Sequence, residues 1–211
     1  MTGPVDGSAL TPTRADAVEL SNRSPAAARG RLGRFLLASV VAAGAMLIDQ
    51  GTKALALAQL SEHDRIPLLG DWLGLQLAFN PGTVMSLGSG STWLLTLIAA
   101  AASVVLLIAA TRACTAGWAV AIGLLWGGAV GNLLDRLFAP PGFGRGHVTD
   151  FLAYGNLFIG NLADVILGVG IALGILLYIS SPKGKRWSHP PDEHRSTPED
   201  IAVAGHNVVV T

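Results

Sequence analysis

Charge is what this 211-residue chain has least of: Asp, Glu, Lys and Arg make up 13% of it, against roughly 25% in a soluble globular domain. The stretches Trp72 to Thr111, Ala113 to Leu134 and Val165 to Pro182 hold none. With 51% hydrophobic residues, that scarcity excludes a water-soluble single domain and points to an integral membrane protein. Cysteine is almost missing as well. The single Cys114 excludes a disulfide framework and any Cys-rich zinc site within one chain. Net charge is zero, 14 basic against 14 acidic residues, so nothing marks a nucleic-acid partner. Neither His-Glu-x-x-His nor Gly-x-Ser-x-Gly occurs, which removes two common hydrolase signatures.

What the chain does have is long apolar runs. A helix crossing hydrocarbon needs about 20 apolar residues. Four segments qualify: Phe35 to Leu57, Trp93 to Thr111, Ala116 to Leu134, and Phe158 to Ser180. The first run starts too late and continues too far for a cleaved leader, so it is expected to be a span. Residues 1–34 carry Arg14, Arg23, Arg29, Arg31 and Arg34 among Ser, Pro, Ala and Gly without apolar periodicity, and are expected to be a disordered basic tail. Residues 35–180 then form the membrane domain, and the polar residues 181–211 a second disordered tail. Ten of the fourteen basic residues fall in the two tails and at Arg112, between spans two and three, which puts both termini in the cytoplasm.

The first outer loop has a pattern of its own. Leu73, Leu75, Leu77 and Phe79 alternate with Gly74, Gln76, Ala78 and Asn80, the period of a half-buried strand. Asn80-Pro81-Gly82 reads as a turn, after which Val84 and Ser86 could return as a second strand. The expected fold is an all-α membrane protein: four transmembrane helices with a small extracytoplasmic β-sheet, a cradle, after the first helix. The second outer loop, Phe138 to Gly146, is rich in Pro and Gly and reads as irregular.

Ionisable residues in or beside a span need a partner or a task. Asp49 and Lys53 are four apart and share a helix face, which allows an ion pair; the alternative is a lysine that activates a serine. Asp135 falls at the outer end of span three. Asp164 lies at similar depth, about two turns into span four, and each aspartate has an asparagine three residues before it, Asn132 and Asn161. Two carboxylates converging there could share one proton, the apparatus for activating water against a peptide bond. Three other uses stay open: Asn161 and Asp164 as a helix cap, Asp135 paired with Arg136 or Arg145, or both aspartates as a cation relay. Gly127 and Gly131 have the spacing that brings helix backbones close.

Five blocks, in order, resemble the bacterial lipoprotein signal peptidases, or signal peptidase II. Asp49-Gln50-Gly51-Thr52-Lys53 is similar to the family's D-Q-x-x-K. Gly127-Gly128-Ala129-Val130-Gly131-Asn132-Leu133-Leu134-Asp135-Arg136 is similar to G-G-A-x-G-N-x-x-D-R. Val148-Thr149-Asp150-Phe151 resembles V-x-D-F, and Asn161-Leu162-Ala163-Asp164 resembles N-x-A-D. The stretch from Asn80 to Ser86 matches N-x-G-x-x-x-S more loosely, departing at Thr83 and Met85. Gly160 stands where an aromatic is common. The Arg-bearing tail and the loop from Pro140 to His147 look like the high-GC Gram-positive branch.

The resemblance implies an aspartic endopeptidase of the bacterial cytoplasmic membrane, without cofactor or metal, its active site at the outer face. It would cut prolipoproteins on the amino side of the diacylglyceryl-modified cysteine, with Asp135 and Asp164 as the dyad. Asn80, Gly82, Asn132, Arg136 and Asn161 would hold substrate or dyad, and Asp49, Lys53 and Asp150 would be structural. Partners would be prolipoproteins and membrane lipids, with the protein itself a monomer. The competing functions are a catalytically silent lipoprotein-binding paralogue and a small cation- or proton-translocating protein.

Overall fold

The computed structural model describes residues 25–82 and 91–181. Among these the order is α1 (Pro25–Gln59), β1 (Ile66–Leu69), β2 (Leu73–Asn80), α2 (Thr92–Thr111), α3 (Ala116–Phe138), β3 (Val148–Tyr154), β4 (Phe158–Gly160) and α4 (Leu162–Ser180). All four helices are long and apolar enough to cross a membrane, in agreement with the four expected spans. The chain divides within α4 into two units, Met1–Gly174 and Ile175–Thr211. The first holds the sheet and the polar cluster described below; in the second, Ser181 donates to the carbonyl of Tyr178.

Two boundaries correct the sequence expectation. Helix α1 begins at Pro25, so residues 25–34 are helical and not part of a disordered tail; residues 1–24 and 182–211 lie outside the described residues. Proline suits a first helical position and Ala26, Ala27 and Ala28 are the best helix formers, but their arginine neighbours lower hydropathy and hide the extra turns from an apolar-run search. At 1.5 Å per residue, α1 is about 52 Å long, beyond the roughly 30 Å of hydrocarbon, so its Arg-bearing turns extend past the apolar layer. Helix α4 begins at Leu162 and not at Phe158, because Phe158–Gly160 pair with β3 as a strand.

Strand β2 spans the expected alternating residues. The sheet is antiparallel throughout, in the order β1-β2-β3-β4, and so draws on both the α1–α2 and the α3–α4 connections and not the first alone. The pairs Ala78↔Asp150 and Asn80↔Val148 align the Asn80 turn with β3. The return strand expected around Val84 and Ser86 lies outside the described residues. The loop after α3 is irregular, as its proline and glycine content suggests, and Thr96 of α2 ties to it by donating to the Gly144 carbonyl at 2.8 Å.

Packing between the helices runs on small residues, as expected where lipid leaves no hydrophobic drive to pull helices together. Buried positions are Ala38, Ala42, Ala45, Ala56, Ala119, Ala121 and Ala163, whereas Leu47, Val40 and Val105 face outward, 64 to 70% and 63% exposed. Helix α3 lays Gly123, Gly127 and Gly131 along α1. A Cβ on Gly127 would stand 2.5 Å from the Ala42 carbonyl oxygen and 2.7 Å from Ala45 Cβ. One on Gly131 would strike the Asp49 carboxylate. On its other side, Gly128 faces the Ala163 carbonyl and Leu167 of α4. The glycine spacing singled out in the sequence thus lets α3 lie between two neighbours and brings three acidic helix positions to one level.

Candidate active site

Lys53 is the hub of that level. Its ammonium sits 2.8 Å from Asp49 Oδ2, 3.0 Å from Asp135 Oδ2 and 2.9 Å from Asn132 Oδ1, using all three donors. It is 2% exposed and Asp49 is fully buried. The expected Asp49–Lys53 pair is present, and Lys53 reaches further, to a residue on another helix. Asp135 therefore pairs with Lys53 and not with its neighbour Arg136 or with Arg145; among the described residues the ion pairs are the two made by Lys53. The other contacts of Asp135 are Gln50 Nε2 at 3.0 Å and the backbone N–H of Thr149 at 3.0 Å.

Asn132 joins the two aspartates. Its Oδ1 accepts from Lys53, and its Nδ2 donates to Asp164 Oδ1 at 3.0 Å. A continuous polar path thus runs Asp135–Lys53–Asn132–Asp164 across α1, α3 and α4. Asp164 also closes a reciprocal cap: its backbone N–H donates to Asn161 Oδ1 at 3.0 Å, and its Oδ2 accepts from the Asn161 N–H at 3.2 Å. The cap considered as an alternative is real, and it fixes Asp164 while leaving it exposed. Asp49 Oδ1 accepts from the next free N–H of that helix, Ala163, at 2.9 Å, so the start of α4 is tied to α1.

The sheet contributes a second buried group. Asp150, 2% exposed on β3, accepts from Asn161 Nδ2 at 2.7 Å and from Asn80 Nδ2 at 3.0 Å, linking the β2 turn to the cap of α4. Burial pushes its carboxyl up to about 6, against the two amide hydrogen bonds that favour the charge, and nearby Asp164 adds to the rise. Asn80 Oδ1 holds the Gly82 N–H at 2.9 Å, and Arg136 Nη2 donates to the Gly82 carbonyl. Arg136 is 7% exposed, and its Nη1 is the buried side-chain polar atom without a partner among the described residues. Beside Asp135 a cleft of about 390 Å³ is lined by Gln50, Lys53, Leu57, Leu134, Phe138 and Thr149, among others.

All ten residues singled out in the sequence, Asn80, Gly82, Asn132, Asp135, Arg136, Asn161, Asp164, Asp49, Lys53 and Asp150, join this one bonded cluster. Three features escaped notice. Gln50 touches Asp135 although it stands inside a quoted motif, and the Thr149 contact comes from backbone, which no side-chain pattern announces. The third is Tyr154, stacked on Phe158 with ring centroids 4.9 Å apart. The phenol titrates high, from burial first and Asp164 second. A Cβ on Gly160 would meet Asp164 Oδ2 at 3.3 Å and Phe158 at 3.4 Å, so these rings occupy the space next to the position where an aromatic is common.

Known proteins resemble this chain over most of its length. The family profile described as Signal peptidase (SPase) II matches residues 41–180. A lipoprotein signal peptidase of Leifsonia xyli is 42% identical over 174 residues, 81% of this chain and 81% of the relative. One from Bifidobacterium longum is 42% identical over 156 residues, covering 73% and 85%. One from Streptomyces coelicolor is 40% identical over 161 residues, covering 76% and 77%. All three are high-GC actinobacteria. A bacterial membrane enzyme solved by the in meso method at 2.3 Å superposes with a TM-score of 0.60 at 27% identity, covering 69% of this chain and 90% of that one.

Proposed function

The chain belongs to the signal peptidase II family, and on that premise we propose that Asp135 and Asp164 are the two carboxylates that cut the peptide bond. The protein is a multi-pass membrane peptidase that removes signal peptides from prolipoproteins. The observation that carries the dyad is the path from Asp135 through Lys53 and Asn132 to Asp164, which holds both carboxylates at one level. One carboxylate, ionised, takes a proton from water as its oxygen attacks the scissile carbonyl carbon. The other, protonated, gives its proton to the carbonyl oxygen. As the C–N bond breaks, the amine leaves with a proton and the signal peptide with a new carboxylate. In this reading Nη1 of Arg136, without a partner among the described residues, donates to a substrate carbonyl, while Nη2 keeps Gly82 and the Asn80 turn in position.

The cut falls on the amino side of the diacylglyceryl-cysteine, whose chains stay in lipid and set the depth of the bond; this is orientation, not added affinity. Incubation of the purified protein with a synthetic lipidated prolipoprotein, read by mass spectrometry, should give that cut. Asp135→Asn and Asp164→Asn should each lower the rate by about a thousandfold or more. Near wild-type cleavage in either variant removes the dyad assignment.

The termini lie in the cytoplasm and the dyad at the outer face, as the distribution of basic residues favours. Cys114, the only thiol in the chain and exposed at the α2–α3 turn, reports this directly. A membrane-impermeant maleimide should label it only after permeabilisation. Labelling in intact cells reverses the orientation.

A further inference from the structure

At the end of the bundle away from the aspartates, α2 and α3 leave a groove of about 430 Å³, a ligand-sized volume. Val105, Ile108, Ala109, Trp118 and Ile122 line it, and Arg112, Ala113 and Cys114 form its mouth. We propose that this groove binds one anionic phospholipid, with an acyl chain along α2 and the headgroup phosphate at Arg112 and Arg34.

Charge at the mouth argues for the headgroup. Arg112 is exposed and makes no ion pair among the described residues. Arg34 of α1 comes to the same turn, its Nε donating to the Ala113 carbonyl at 2.7 Å, which leaves its two terminal nitrogens for another acceptor. No carboxylate competes among the described residues of these helices: α1 before Asp49, all of α2, and the chain from there to Asp135 hold no Asp or Glu. Two arginines stand at one turn with no ion-pair partner among the described residues. An anionic headgroup supplies one, and the fork geometry of arginine suits a phosphate.

The groove argues for the chain. From Val105 to Arg112 it runs about 10 Å along the helix, all of it apolar until the arginine. It opens between helices whose outward residues are lipid-facing, Val105 being 63% and Ile108 45% exposed. A bilayer chain therefore reaches it laterally, without leaving hydrocarbon. Trp118, in the first turn of α3, lines the groove at the helix end, where an amphipathic ring suits a headgroup boundary. Since a neutral lipid fills an apolar groove equally well, selectivity rests on the two arginines, at about 1 kcal/mol or roughly fivefold each near a charged surface.

Trp118 also makes the test possible. The full-length protein with Trp72, Trp93, Trp126 and Trp187 changed to Phe is placed in neutral-lipid nanodiscs and titrated with dibrominated phosphatidylglycerol or dibrominated phosphatidylcholine of identical chains. Quenching of Trp118 should favour the anionic lipid by about 25-fold. Arg112→Gln should lower that preference about fivefold, and Arg112→Lys should keep most of it. Excess glycerol 3-phosphate should leave the quenching in place, because the chain is part of the site. Equal quenching by the two lipids overturns the proposal, the result expected if a second copy or the N-terminal segment fills the groove. So does a preference that Arg112→Gln leaves undiminished, or quenching abolished by glycerol 3-phosphate alone.

Discussion

The two ends of the bundle handle charge in opposite ways. At one end Asp49, Lys53, Asp135 and Asp150 are buried, each held by two or more partners. At the other, among the described residues, Arg112 is exposed and without an ion pair, and Arg34 donates to a backbone carbonyl. Buried charge is tolerated only when its neighbours are fixed in advance, which is also what a reacting pair of carboxylates needs. Surface charge at a lipid boundary needs no such framework and remains free for headgroups. The difference is one of preorganisation: small residues pack α3 closely at both ends, but at one end only does that packing bring carboxylates, a lysine and amides together.

The largest disturbance to that contrast is removal of the shared cation. Lys53→Met leaves the buried carboxylates of Asp49 and Asp135 without their shared cation, and should destabilise the protein by about 3–5 kcal/mol. A melting curve in detergent checks this, with Arg112→Gln as the surface control that should shift it little. A variant as stable as the wild type would mean that water already reaches the cluster.

Next comes Asp150. Its folded value of about 6 lies above the ordinary 3.8, so between the two the native state holds a proton that the unfolded chain has lost. Its contribution to stability is full below pH 3.8, declines as pH rises and is lost above 6. The gap of about two pH units corresponds to on the order of 3 kcal/mol. The stability difference between wild type and Asp150→Asn should therefore fall across that window. A difference independent of pH would contradict the burial of this carboxyl.

The smallest effect comes from packing. Gly127→Ala drives a methyl against the Ala42 carbonyl and Ala45, and should cost about 1–3 kcal/mol with a fall in kcat from misplacement of Asp135. Gly44→Ala, on an open face of α1, should do neither. Equal behaviour of the two glycines would detach the site from the helix packing.

Much of this was legible in the chain, for physical reasons that differ by element. The four spans show themselves because hydrocarbon demands about 20 apolar residues in a row. The first turns of α1 do not, since Arg29, Arg31 and Arg34 look like a polar tail while their backbone is helical. Strand β2 alternates in sequence, although its burial does not keep the period, with Gly74 and Leu77 buried, Phe79 exposed and the register shifted between Leu75 and Ala78; β3 is buried at five of its seven positions and has no alternation to find. Strand β4 was absorbed into the apolar run of α4. Within the site, Asp49 with Lys53 and Asn161 with Asp164 are local spacings and could be read directly. The reach of Lys53 to Asp135 could not, because it depends on Gly127 and Gly131 letting two helices touch.

The claim at the centre is that Asp135 and Asp164 act as one unit, and a double-substitution cycle tests it most directly. Cleavage of a lipidated prolipoprotein is measured for Asp135→Asn, Asp164→Asn and the two combined, at enzyme concentrations high enough to quantify the residual rate. A shared proton predicts that each single change removes nearly all of the rate and the pair removes no more. Losses that multiply, or one variant that still cuts at close to the wild-type rate, would show two carboxylates working separately.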